Sequence, residues 1–149
     1  MELQRIDEES NLHDFEDNGS VYRLHPKALS AWRSLKEAAL RDGVEITIVS
    51  AYRSVAYQAE IIERKRKEGL SDSEIFAVVA RPGFSEHHSG RALDLSSNEQ
   101  TELTEGFCST DAFRWLTEHA SRFGFYLSYP QGNEYGIVFE PWHWMFKNE

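Results

Sequence analysis

Cysteine is almost absent from this 149-residue sequence. Cys108 is the only one, so an intrachain disulfide is excluded and a zinc site built on thiolates would lack ligands. Any metal must be held by histidines and carboxylates. A surplus of positive charge is missing as well: sixteen Lys and Arg stand against twenty-five Asp and Glu, a net charge of −9. That is the wrong sign for affinity gained by neutralising phosphates, and nucleic acid is not expected as a partner. No apolar run approaches the roughly 20 residues that a membrane-spanning helix needs. The opening MELQRIDEES has neither the basic start nor the apolar stretch of a signal peptide, so the chain as given is expected to be soluble, with no signal peptide visible in it. Repeats, linkers and low-complexity segments are also lacking. What remains is one domain, whose 40% apolar and 13% aromatic content suffices for a core without covalent staples.

The first 25 residues are polar and without a sustained period, which reads as an arm or irregular lead-in with a short strand at Val21–Leu24. Its acidic residues suit a solvated surface. From Pro26 the pattern becomes helical. Leu29, Trp32, Leu35 and Ala39 share a face, Pro26 suits a first turn and Gly43 a helix end, which predicts a helix over about 27–42. Val44 to Ser50 alternates as a strand. Ser54 then caps a second helix that runs to Gly69, and its basic tail, Arg64 to Lys67, suits the negative end of the helix dipole. A shorter helix is expected from Ser71 or Asp72 to Val79, a strand at Ala92–Leu95, and an amphipathic helix from a Ser109 or Thr110 cap to Gly124. Antiparallel strands are expected at 125–128, 136–140 and 142–146. The class is therefore α+β: a small, mostly antiparallel sheet flanked by three to four helices in a single domain.

The chemistry concentrates in two places. His87 and Asp94 lie seven residues apart across a loop that enters a strand, with Gly90 between them to turn the backbone. Glu140-Pro141-Trp142-His143 forms the second element. In a straight strand Glu140 and His143 would face opposite ways, but Pro141 cannot join a regular ladder and favours a bend that brings them to one side. Met145 then shares the face of His143, whereas Trp142, Trp144 and Phe146 would pack behind it. Two imidazoles and a carboxylate fill three of the four positions zinc prefers and leave one for water, the pattern of a catalytic site. Glu140 is the candidate general base, because a neighbouring carboxylate that is not a ligand can take the proton of such a water. Arg53, at the end of a strand, can stabilise an oxyanion with its rigid fork of donors, though an ion pair alone would also explain it. Taken singly, either histidine would more often be a hydrogen-bonded structural residue. Their arrangement with Asp94 and Glu140 reverses that balance. His88 is expected to line the cleft, and His13, His25 and His119 are left out of the metal site.

These residues carry a resemblance. Ser85-x-His87-x-x-Gly90-x-Ala92-x-Asp94, followed by Glu140-x-Trp142-His143 and preceded by Ser50-Ala51-Tyr52-Arg53-Ser54 with Gln58, resembles the VanY-type D-alanyl-D-alanine carboxypeptidases over about residues 45–146. The resemblance implies a fold shared with lysostaphin-like and hedgehog-type zinc domains, occupying residues 26–149. It also implies one zinc ion on His87, Asp94 and His143, with Glu140 as base and Arg53 polarising the scissile carbonyl. Ser85 would hold the substrate's terminal carboxylate, and Gln58 would touch substrate more weakly. The implied substrates are peptidoglycan stem peptides ending in D-alanine, handled by a monomer. Such enzymes meet their substrate in the cell envelope or periplasm; the missing leader leaves the cytoplasm open.

Other readings share parts of this pattern. The same site would serve an L,D-carboxypeptidase or a peptidoglycan endopeptidase. A zinc-stabilised binding module would keep the metal without cleavage, and Glu140 together with Arg53 argues against it. Two histidines and one carboxylate also form the facial triad of iron(II) oxygenases, where Glu140 would be superfluous.

Overall fold

The computed structural model describes residues 2–97 and 103–147. Its elements are β1 (His13–Asp17), β2 (Ser20–Leu24), α1 (Pro26–Arg41), β3 (Ile46–Ser50), α2 (Val55–Lys67), α3 (Asp72–Phe76), β4 (Ala92–Ser97), α4 (Asp111–His119), β5 (Phe125–Leu127) and β6 (His143–Phe146). The fold is α+β. The strands β3, β4, β6 and β5 form, in that order, an antiparallel sheet, and β1 and β2 form a separate hairpin.

Each helix starts where its first free N–H groups find a side chain. His25 accepts from Lys27 N ahead of Pro26 in α1, Ser54 accepts from Tyr57 N in α2, and Thr110 accepts from Phe113 N in α4. α1 buries Leu29, Trp32, Leu35 and Ala39, the stripe read from the sequence. These side chains meet Leu93 and Leu95 of β4, Trp144 and Phe146 of β6, and Leu116 of α4 in one core. β4 is buried along its whole length. Leu93 and Leu95 face this core, and Asp94 therefore points to the opposite side of the sheet.

Four expectations change. Residues 13–24 are not an irregular lead-in with one strand but a full hairpin. It turns at Asn18 and Gly19, both with positive φ (49° and 85°), the two-residue turn whose twist matches paired strands. Asp17 anchors the hairpin by accepting from Ile48 N at 2.9 Å and pairing with Lys36, and Phe15 and Leu24 join the core. α3 ends at Phe76, before Val79. Residues 136–140 are not a strand, because their donors are used elsewhere: Val138 N bonds Ala77 O, and Glu140 N bonds Tyr129 O. The Asn133 side chain fixes this loop by donating to Pro130 O and Ile137 O. Trp142 accordingly precedes β6 instead of belonging to it, and it borders both core and cleft.

Ahead of the hairpin the chain forms a strap over the loop that carries His87. Ile6 N bonds Gly83 O at 2.7 Å, Glu9 N bonds His88 O at 2.9 Å, and the Glu9 carboxylate pairs with Arg91 at 3.1 Å. Gly90 lies beneath it with φ +70°; a Cβ there would come within 2.7 Å of Leu12 Cδ2 and 3.2 Å of His25 N. Only glycine meets both demands cheaply.

Candidate metal centre

Sheet register builds the centre of the site. Asp94 stands opposite Ser50 of β3 on one side and His143 of β6 on the other. His87 arrives from a 3-10 turn, Glu86–Ser89, capped by the Ser85 hydroxyl, which accepts from His87 N at 3.1 Å. The sequence had suggested only a loop here. The result is that one atom, Asp94 Oδ1, lies 3.1 Å from His87 Nε2 and 3.0 Å from His143 Nδ1. All three residues are buried, and each offers a ligand atom within 4.8 Å of the others.

The outer nitrogens decide what the inner ones can do. His87 Nδ1 donates to Ala51 O at 2.6 Å, and His143 Nε2 donates to Glu86 Oε1 at 2.8 Å. With these positions taken by protein acceptors, the inward nitrogens of both rings are the ones aimed at Asp94 and left to ligate a metal, His143 after giving up its second proton. Two lone pairs and a carboxylate converging in a buried place call for a cation, so the donor set fits zinc. Without a metal, the proton on His143 is the positive charge that faces Asp94. Burial opposes the Asp94 anion, but His87 and His143 hold its carboxyl far below the usual range. Burial likewise opposes charge on His143, yet its hydrogen bonds to Asp94 and Glu86 raise its pKa well above normal. Burial lowers that of His87.

Glu140 reaches the same cleft by the bend expected at Pro141: His143 N bonds Glu140 O at 3.2 Å, and the Glu140 carboxylate lies 4.0 Å from His143 Nδ1. Burial pushes its pKa up to about 7; the charge of His143 pulls it down and that of Asp94 pushes it up. Arg53 sits between β3 and α2 and is held on three sides. Nε donates to Ser50 Oγ at 2.8 Å, Nη1 to Gln58 Oε1 at 3.3 Å, and Nη2 to Asp94 Oδ2 at 2.8 Å. It is thus no surface ion pair. Gln58 is fully buried and also donates to Ala80 O at 2.9 Å. Ser85 and Gln58 both line the cleft, a cavity of about 450 Å³.

The structure therefore brings His87, Asp94, His143, Glu140, Arg53, Ser85 and Gln58 to one cavity. His88 does not join them. It is wholly buried, donates from Nδ1 to Arg53 O at 2.7 Å and accepts from Gly83 N at 3.1 Å, so it supports the loop from behind. Two cleft residues were missed by sequence reasoning. Glu86 bridges His143 and the Ser128 hydroxyl, and the Tyr129 ring lies 5.0 Å from that of His143. Neither belongs to a periodic stripe.

A family model, VanY: D-alanyl-D-alanine carboxypeptidase, matches residues 21–149. The chain belongs to this family. A D-alanyl-D-alanine carboxypeptidase of Enterococcus faecalis is 34% identical over 126 residues, which are 76% of this chain and 44% of that protein. The LdcB LD-carboxypeptidase structure superposes with a TM-score of 0.80 at 32% identity, covering 93% of this chain and 69% of that one. A vancomycin-resistance D,D-pentapeptidase VanY, solved with Zn(II), superposes with a TM-score of 0.74 at 29% identity, covering 98% and 86%. The chain spans about half the length of the first curated relatives it matches.

Proposed function

We propose that this VanY-family chain is a zinc carboxypeptidase that removes a terminal D-alanine from peptidoglycan stem peptides ending in D-Ala-D-Ala. The observation that carries the reading is the convergence of His87, Asp94 and His143 in a cleft beside a buried carboxylate, Glu140, that is not part of the triad. The names of the relatives supply the substrate class. His87, Asp94 and His143 would hold the zinc, which when bound supplies Lewis acidity toward water and carbonyl oxygen.

The remaining residues divide the other tasks. Glu140, with a pKa near 7, can accept a proton from water and release it to the departing amine. Arg53 uses three of its five N–H groups within the protein, which leaves two for the oxygen of the scissile carbonyl. The Ser85 hydroxyl accepts from His87 N and keeps its own proton for the terminal carboxylate. Gln58 retains one N–H for a weaker contact. Residues 26–149 would form the peptidase domain and the preceding segment its buttress. Every group invoked lies within one chain, which suits a monomer, and the substrate would place it in the cell envelope.

The decisive experiment uses Glu140→Gln. The variant should bind zinc stoichiometrically yet release D-alanine from a D-Ala-D-Ala peptide at least about 100-fold more slowly than wild type; undiminished release would remove Glu140 from the mechanism. The likeness to LdcB favours one second reading, cleavage of an L,D bond. Mass analysis of matched peptides ending in L,D or D,D bonds separates the two.

A further inference from the structure

The cleft extends well beyond the triad along α2. Tyr57, Gln58, Ile61, Arg64 and Lys65 line it, a stripe at helical spacing. Gln58 stands at the metal end, fixed to Arg53. Lys65 is seven residues further on, about 10 Å along the axis at 1.5 Å per residue. The basic tail of α2 has a general explanation in the helix dipole, but that does not account for how its members are used. Arg66 is taken up by Asp72 at 2.9 Å and Glu63 at 3.7 Å. Arg64 and Lys65 border the cleft, and among the described residues neither meets a carboxylate. The cavity is therefore polarised: Glu86, Asp94 and Glu140 at one end, two cations without a carboxylate partner among the described residues at the other, and apolar Ile61 between them.

We propose that Arg64 and Lys65 form an anionic subsite that binds a free carboxylate carried by the peptide substrate about three residues to the N-terminal side of the scissile bond. This rests on the carboxypeptidase reading, which fixes the direction: only one residue lies beyond the scissile bond, so the long arm of the cleft takes the N-terminal part of the peptide. The distance follows from the helix. An extended chain advances roughly 3.3–3.6 Å per residue, so about 10 Å corresponds to three residues. A carboxylate there replaces solvent as the partner of two cations, whereas a carboxamide offers them no charge.

Two peptides ending in D-Ala-D-Ala, identical except for a carboxylate or a carboxamide at that position, test the proposal. Wild type should cleave the acid with a KM about 3- to 10-fold lower than the amide and a similar kcat, the gap narrowing in high salt. Calorimetry with the zinc-loaded Glu140→Gln protein should show the same ratio in affinity without turnover. Arg64→Gln combined with Lys65→Gln should abolish the preference, whereas Lys67→Gln, an exposed cation of the same helix end outside the cleft, should keep it. Equal binding of acid and amide by wild type, or a preference that survives the double substitution, would overturn the subsite. Cleavage of neither peptide would instead sink the carboxypeptidase reading, and the calorimetric comparison would still decide the subsite.

Discussion

Burial sets Glu140 apart from a surface carboxylate and ties its chemistry to stability. Its pKa rises from 4.5 to about 7 in the folded protein, so folding favours the protonated form. The contribution is fully present below about pH 4.5 and is lost as pH rises through 7. In metal-free protein, Glu140→Gln should therefore be the more stable form at about pH 8, by up to roughly 3 kcal/mol, and the two proteins should converge near pH 4. Urea unfolding in the presence of a chelator measures this, and parallel pH profiles would contradict it. Glu86 has a different part. It is the acceptor that holds a proton of His143 on Nε2 and so would leave Nδ1 as the nitrogen to ligate a metal. Glu86→Ala should weaken zinc binding about 10- to 100-fold in a chelator competition, with little change in helix content; unchanged affinity would deny it the orienting role. The sequence placed Glu86 beside a ligand candidate but could not show it. Its partner lies 57 residues away, and the 3-10 turn that aims it carries no periodic signal.

Among the elements, the strap and hairpin ahead of α1 brace the loop that carries His87. They close over Gly90, whose positive φ and missing side chain are both needed. Gly90→Ala should cost about 1–3 kcal/mol in urea unfolding. Adding Leu12→Ala should return only part of that loss, since it removes the side-chain overlap but not the backbone strain. A Gly90→Ala protein as stable as wild type would refute the close approach. Sequence reading treated this region as an arm because its residues are polar, although Asn18-Gly19 is itself a strong hairpin signal. The anchoring contacts explain the miss: Asp17 is a buried carboxylate, held by Ile48 N and Lys36, where the pattern suggested only solvated acid.

For the molecule as a whole, periodicity served where one face is buried against a common core. The stripe of α1, the cap and stripe of α4 and the alternation of β3 were legible because burial imposes them. Residues 136–140 misled because β-branched and aromatic residues there cover a loop whose backbone donors go to Tyr129 and Ala77 instead of a neighbouring strand. The convergence of the candidate residues was legible as a set, since His87, Asp94, His143 and Glu140, which the fold brings to one cleft, have little use together other than chemistry. What held Arg53 in place was not, because Ser50, Gln58 and Asp94 meet it only through the fold.

Asp94 and His143 face each other as a cross-strand pair of β4 and β6, although 49 residues separate them along the chain. A slip of one residue would turn one of them to the far face of the sheet, so the two could share an ion only after the strands have aligned correctly. During biosynthesis, loading of such a site would have to follow emergence of β6 from the ribosome. Metal uptake would thereby report that the sheet has been assembled in the right frame.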